Sequence, residues 1–467
     1  MGHGDRLRRI FRVDVWRCCV KRPADRCVAR PSRRHRSATG HRVGGSMNRR
    51  EFARLLAIGG AVPFVTPELS WARAAKLPPT PASPDEKFWL SVRDQFVMPK
   101  ELTMLNAANL CPSSGPVLET LYKVTRDMDQ DPSMDNRVKL GEGRENTRKL
   151  LAEFLRVTPE EIVITRNTSE SNNLVSTGVD LKAGDEVLLT ADNHPSNHTA
   201  WQEKAKRFGF TVRDVPVPNP HPGFDHYVDV FTKAITPKTK LIAFTHLTST
   251  VGDLFPAKEI CKLARDRGIL TLVDGAQTFG LLDVDLSDIQ PDFYSGSAHK
   301  WPCGPKENGV LYINKNAQTK IWASIYSAYP GRVGVSRSFE GFGQRDEPAM
   351  IAFGEALKLQ TQIGRAQIER RSRELTQALV QGLKKIDGVK IWTSPEPSRA
   401  AAVLSFQPGS LDVRKLSTAL YQKDRIGCAT RGGQDRPGIR FSPHFYNTHA
   451  DVEKTVAAIK KYMATGV

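Results

Sequence analysis

The sequence predicts an α/β protein: a mainly parallel sheet wrapped by helices, followed by a smaller α+β domain. Three observations predict it. Short apolar runs recur between residues 160 and 313, and helical patterns separate them, which is the alternation that parallel β–α–β units require. Polar clusters follow directly on these runs, at the edge where such sheets collect ligands. After residue 350 the pattern changes to a long helical stretch, then short strands and a last helix.

Taken in order, residues 86–95 read as a short helix, and 114–130 and 141–155 carry helical apolar spacing. Glu161 to Thr165 is a buried-strand run, and Asn172 to Gly178 sits on a helix. Glu186 to Thr190 is a strand and His198 to Phe208 a helix. Leu241 to Thr245 is a strand, Pro256 to Arg267 a helix and Leu270 to Val273 a strand. A strand pair after Lys300 includes Gly309 to Ile313. Pro348 to Leu383 reads as one long helix and Ala450 to Met463 as the last. No internal repeat is visible.

Composition removes several classes. Of 467 residues, 39% are hydrophobic and 25% charged, an ordinary globular balance. Mean hydropathy is -0.40. No run approaches the roughly 18 apolar residues of a membrane-spanning helix, so stable membrane insertion is not expected. Seven cysteines are too few for a disulfide-built scaffold. The net charge of +18 suggests nucleic acid until it is located. Residues 1–50 hold fifteen Lys/Arg against three Asp/Glu, so +12 of it sits in the leader and nucleic acid is not an expected partner.

Residues 1–46 are Arg-rich, contain Cys18, Cys19 and Cys27, and show no sustained period. They are expected to be an unstructured extension, or to precede the true start at Met47. From Met47 the chain reads Asn48-Arg49-Arg50-Glu51-Phe52, then a weakly apolar stretch from Leu55 to Val65, then Ala72-Arg73-Ala74. Paired arginines, a short apolar region and an A-x-A site are the parts of a twin-arginine signal over 47–75, so a periplasmic location is expected. A mature chain would keep Cys111, Cys261, Cys303 and Cys428. Residues 76–113 follow as a proline-stiffened linker and entry segment.

The chemistry lies in the polar clusters. Asn167-Thr168-Ser169-Glu170 opens a helix after the first buried strand. His194 follows the second strand, Ser249 the third, and Asp274-Gly275-Ala276-Gln277 the fourth. Ser297-Ala298-His299-Lys300 closes the series. Thr168 and Ser169 at a helix N-terminus suit a phosphate. His194 can lie against an aromatic ring, and Asp274 can hold a proton on a ring nitrogen. Gln277 and Ser249 can donate to a ring oxygen. Lys300 among small residues suits a desolvated amine nucleophile. A phosphate, a nitrogen heterocycle and a carbonyl within reach of Lys describe pyridoxal 5'-phosphate. No metal is expected.

Thr165 to Glu170, Val273 to Gln277, Ala298-His299-Lys300-Trp301 and Gly438-Ile439-Arg440-Phe441-Ser442-Pro443-His444-Phe445-Tyr446-Asn447-Thr448 resemble class V aminotransferases. Within that superfamily the likeness is to the isopenicillin N epimerase-like branch, with cysteine desulfurases as cousins. The resemblance implies the aspartate aminotransferase-like fold of pyridoxal-phosphate transferases. A large domain, 114–345, would carry a mainly parallel seven-stranded sheet, and 346–467 a smaller α+β domain. It implies that Lys300 holds the cofactor as an internal aldimine, that Asp274 protonates its ring and that His194 stacks on it. Gln277 would touch the phenolic oxygen, and Thr168, Ser169, Ser297 and His299 would hold the phosphate. Arg440 would pair with the substrate carboxylate, and Asn106 with Ala107-Ala108-Asn109 would match the entry segment near substrate. A homodimer is implied.

Two departures from the family pattern matter. Cysteine desulfurases need a cysteine on the loop before the carboxylate-binding arginine, and Arg431 to Arg436 contains none. Gly343-Gln344 stands where relatives carry Gly-Thr reaching the neighbouring subunit's phosphate site. The expected activity is therefore that of a transaminase or epimerase-like enzyme on an amino acid or its derivative. A lyase and a periplasmic tailoring enzyme of a peptide siderophore stay open, and a non-enzymatic binding module is the contrasting class.

Overall fold

The computed structural model describes residues 76–431 and 435–467. The expected extension at 1–46 and signal at 47–75 lie outside the described residues. Strand β1 (Thr103–Met104) comes first. The main sheet is built from β2 (Ile162–Thr165), β3 (Glu186–Thr190), β4 (Thr211–Val215), β5 (Thr239–Thr245), β6 (Leu270–Asp274), β7 (Phe293–Ser297) and β8 (Gly309–Ile313). Its order is β2-β8-β7-β6-β5-β3-β4. Only β8 runs against its neighbours, so the sheet is seven-stranded and mainly parallel, as expected.

Helices cover both faces, which explains the continuous apolar runs. Ile164, Leu188, Ile242 and Val273 face one core. Val163, Leu189, Leu241 and Leu272 face the other. Strand β4 was not visible in the sequence because it is an edge strand. Its residues TVRDV are mostly solvent-facing, and the charged Arg213 and Asp214 protect the edge from further pairing.

The second sheet follows: β9 (Val389–Ile391), β10 (Leu404–Pro408), β12 (Ala429–Arg431) and β13 (Gly438–Phe441), antiparallel in the order β12-β13-β10-β9. Strand β11 (Ile426–Gly427) pairs instead with β1. Residues 103–104, expected to be part of a linker, are thereby tied to the C-terminal part of the chain. The helix Val413–Asp424, unseen in the sequence pattern, packs beside this sheet with His449–Thr465.

The expected single helix from 348 to 383 is two. Glu347–Ile363 ends at Gly364, and Arg365–Leu383 begins beyond it. Gly364 has φ +92, a conformation an α-helix cannot continue through. The first of the pair packs on Gly115–Gln130 and Met134–Leu155, the helices that precede the main sheet. A buried ion pair locks this region. Arg148 meets Glu340 at 2.6 Å with neither side chain exposed, and Glu340 also accepts the Ile164 N–H at 2.6 Å. Among the described residues, no helix is long and apolar enough to cross a membrane.

Candidate active site

The site forms at the carboxyl edge of the main sheet, where five strand ends deliver polar residues side by side. Strand β6 ends at Asp274, which is 2% exposed. Its Oδ1 accepts the Ala276 N–H at 3.0 Å. Its Oδ2 accepts from Asn172 Nδ2 at 2.9 Å and Asn197 Nδ2 at 3.4 Å. A buried carboxylate held by donors alone is fixed in direction. Asn172 is oriented in turn by Ser295, whose hydroxyl donates to its Oδ1 at 2.7 Å.

Lys300 lies in the turn after β7. Its carbonyl accepts the Cys303 N–H at 3.0 Å, while the preceding carbonyl, of His299, accepts from Cys111 N at 2.8 Å. Among the described residues its amine makes no hydrogen bond or ion pair. Burial pushes that amine down to about 8, a drop moderated by the Asp274 carboxylate. A larger share of neutral, nucleophilic amine than an exposed lysine offers is therefore present near physiological pH. Trp301 anchors the turn. Its indole donates to Gln277 Oε1 at 2.9 Å, and its carbonyl accepts from Gln360 Nε2 at 2.6 Å and from His444 Nε2 at 2.7 Å. Burial pushes His444 down to about 3, so it is neutral, with Nε2–H donating and Nδ1 taking the Ser372 hydroxyl.

The helix Thr168–Gly178 points its N-terminus at the same edge. Ser297 Oγ lies 2.9 Å from Thr168 N and 2.8 Å from Thr168 Oγ1, which joins β7 to that terminus. Ser169, one residue on, is exposed. His299 is half-buried, and burial with the nearby Lys300 cation pushes it down to about 4. His194 caps the helix Pro195–Phe208, its Nδ1 accepting from Ser196 N at 3.2 Å. Desolvation, then Lys300, lowers its pKa. The lowered pKa favours the neutral ring, and the Ser196 N–H orients it.

Arg440 sits on β13, 5% exposed. Nη1 donates to the Ser249 carbonyl and Nη2 to Asn106 Oδ1, both at 2.9 Å, while Nε is buried without a partner. Burial, aided by the Arg431 cation, holds its pKa well down. No carboxylate lies within ion-pair distance of it among the described residues.

Two residues expected to donate to a ring oxygen also have protein partners. Ser249 is engaged by two arginines. Its carbonyl accepts from Arg431 and Arg440 and its hydroxyl lies 3.3 Å from Arg431, because the turn after β5 leans toward β12 and β13. Gln277 is held from both ends of its amide. Its amide spans Ala108 O at 3.0 Å and the Trp301 indole, leaving one N–H uncommitted. Sequence reasoning assigned no role to Asn172, Asn197, Gln360 or His444. Asn172 carried a usable signal, since it lies one helical turn beyond Thr168 on the same face. Gln360 is a lone amide on the apolar face of its helix.

The set fits pyridoxal phosphate. The observation that tests the fit is the unpartnered Lys300 amine beside an Asp274 carboxylate already committed to donors, with a helix N-terminus and an exposed hydroxyl at one end. An unpaired buried guanidinium lies at the other. Lys300 would hold the aldehyde, Asp274 the ring nitrogen, His194 the ring face, and the Thr168–Ser169 terminus with Ser297 and His299 the phosphate.

Comparison with known proteins agrees. The model of the aminotransferase class-V family matches residues 116–455. Isopenicillin N epimerase from Amycolatopsis lactamdurans is 30% identical over 391 residues, covering 80% of this chain and 98% of that protein. A probable cysteine desulfurase from Xylella fastidiosa is 30% identical over 350 residues, 68% of this chain and 80% of that one. Among solved structures, a mutant of the lyase C-DES with glycine covalently linked to its PLP cofactor matches with TM-score 0.72 and 26% identity. It covers 81% of this chain and 99% of that one. The cysteine desulfurase of Thermococcus onnurineus also has TM-score 0.72, at 24% identity, and covers 80% of this chain and 98% of its own. With family model, relatives and site in agreement, the chain belongs to the class V aminotransferase family of pyridoxal-phosphate enzymes.

Proposed function

We propose that the protein loosens the Cα–H bond of an α-amino acid, or of a compound derived from one, in transaminase or epimerase-like chemistry without a persulfide relay. The observation that carries this reading is the buried Arg440, whose planar fork lacks a carboxylate and faces the same site as the free Lys300 amine. When bound, pyridoxal phosphate supplies an electron sink for charge at Cα. Arg440 orients the substrate through its carboxylate. Lys300, neutral above about pH 8, takes the Cα proton and returns it.

Sulfur transfer is disfavoured by the thiols. The segment from Arg431 to Arg440 contains no cysteine. Cys428 is half-buried, donates to Ser417 Oγ at 3.5 Å, and is pushed up by burial. Cys303 is buried and pushed well above the usual thiol range, so it is no nucleophile either.

The test is incubation with amino acids in deuterated water. Cα–H exchange that disappears in Lys300→Ala is expected, with racemisation or keto-acid formation as the sorting result. Release of sulfide from L-cysteine with a persulfide on the protein would overturn the reading.

A homodimer and export complete the proposal. Trp322, Tyr326 and Tyr329 are 69%, 69% and 76% exposed, an apolar load that a second copy would cover. Export rests on the paired arginines at 49–50 and the Ala72-Arg73-Ala74 site. Equal cytoplasmic retention of wild type and the Arg49→Lys/Arg50→Lys variant would remove it.

A further inference from the structure

Beside Arg440 lies a second group of donors that the α-carboxylate alone does not satisfy. Arg431, at the end of β12, donates to the same Ser249 carbonyl that Arg440 uses. Its Nε is buried and unpartnered, like that of Arg440. Two guanidiniums thus converge on one neutral oxygen, and among the described residues neither has a carboxylate within ion-pair distance. Arg436 adjoins them. Its Nη1 is 3.3 Å from Asp192 Oδ2, in ionic contact but not aligned for a hydrogen bond.

Behind this group the polar atoms continue. The Tyr227 hydroxyl is buried without a partner, as are both carboxyl oxygens of Asp253, which is 0% exposed. Both side chains lie within electrostatic reach of Asp192 and Arg436. Burial, then the Asp192 charge, pushes the Asp253 carboxyl up to about 7, so it is mostly neutral below that pH. Arg436 is met by two carboxylates, Asp192 and, 3.1 Å from its Nε, the exposed Asp435, whereas Arg431 and Arg440 have none within ion-pair distance among the described residues. Two guanidiniums, Arg431 and Arg440, thus have no carboxylate of their own, and the unpartnered atoms of Arg431, Arg436 and Tyr227 are donors. Buried donors without partners mark a place built for an acceptor. One α-carboxylate balances one of the two charges.

We propose that the substrate carries a second carboxylate, held by Arg431 at the edge of the Arg436–Asp192 pair while Arg440 holds the first. This rests on the amino-acid reading above. It makes Arg431 a specificity-determining residue that selects dicarboxylic amino compounds over monocarboxylic ones.

The experiment uses the cofactor-loaded protein. L-Aspartate, L-glutamate and L-2-aminoadipate are compared with L-alanine, L-norvaline and L-norleucine, by perturbation of the visible cofactor band and by Cα–H exchange. At least one dicarboxylic compound is expected to exceed its monocarboxylic counterpart by about 30-fold or more in kcat/KM, the scale of a buried charge pair. Arg431→Gln is expected to collapse that ratio to about 3-fold or less. Arg431→Lys, which keeps the charge but not the fork, is expected to fall between the two and serves where Arg431→Gln does not fold. Equal rates for the two series in the wild type, or an equal loss on both in the variants, would overturn the second-anion site while leaving the amino-acid reading intact. A visible band that no amino acid perturbs would overturn both.

Discussion

Arg440→Lys is the sharpest probe of substrate orientation. In the wild type two of the guanidinium nitrogens are spent on Asn106 Oδ1 and Ser249 O at 2.9 Å, which aims the fork, and Nε stays buried and available. Lysine keeps one charge but has no planar fork, so it cannot hold both anchors and a carboxylate together. Charge-assisted hydrogen bonds contribute roughly 1.5–3 kcal/mol each. Loss of one bond, with partial loss of a second, gives about 2–4 kcal/mol, or roughly 30- to 1000-fold in kcat/KM. The carboxylate contact exists before and during proton removal, so most of the effect belongs in KM. The assay is titration of the visible cofactor band with substrate, alongside Cα–H exchange. Melting is followed in parallel, because Asn106 Oδ1 loses its donor and an unsatisfied buried acceptor costs about 1–3 kcal/mol. A folded, cofactor-loaded variant whose KM stays within about 3-fold of wild type would refute the assignment, since uniform binding could not then reside in Arg440.

Three further outcomes are expected. Cofactor uptake followed near roughly 410–430 nm needs the neutral Lys300 amine, so its rate should rise with pH and level off above about 8. Asp274 raises that pKa, so Asp274→Asn should move the midpoint lower, and a midpoint moving up would contradict the electrostatics. Glu340→Gln removes one of the two carboxylates that meet Arg148, leaving Glu145 at 2.8 Å, and should destabilise the fold by about 1–3 kcal/mol, read from the urea midpoint; an unchanged midpoint would mean that Glu145 alone satisfies the guanidinium. Gln360→Leu removes donors from the Trp301 and Gly280 carbonyls, 2.6 and 3.0 Å away, and should slow Cα–H exchange as well as lower the melting temperature; unchanged exchange would free the Lys300 turn from this anchor.

The legible parts of the site share a physical character. Asp274, Lys300, Thr168 and His194 each follow directly on a strand or open a helix, so the period of the chain places them without knowledge of packing. What stayed hidden depends on partners remote in sequence. Arg148 and Glu340 are 192 residues apart, and Gln277 meets Ala108 across 169. Ser249 reads as a ring-facing hydroxyl from its strand end. Only the approach of β12 and β13 brings two arginines to it. The break at Gly364 escaped notice because the apolar face resumes beyond it, and β4 because an edge strand shows no apolar run.

Sequence alone determined the alternation of strand and helix, hence the parallel sheet, and with it the edge at which the polar clusters meet. That follows from local periodicity and from the rule that such sheets present their loops at the carboxyl ends. Tertiary structure decided which donors hold Asp274, which contacts fix the Lys300 turn, and how Arg431 comes to share a carbonyl with Arg440. Those contacts join residues far apart in sequence, and spacing along the chain carries no record of the distance between residues brought together only by folding.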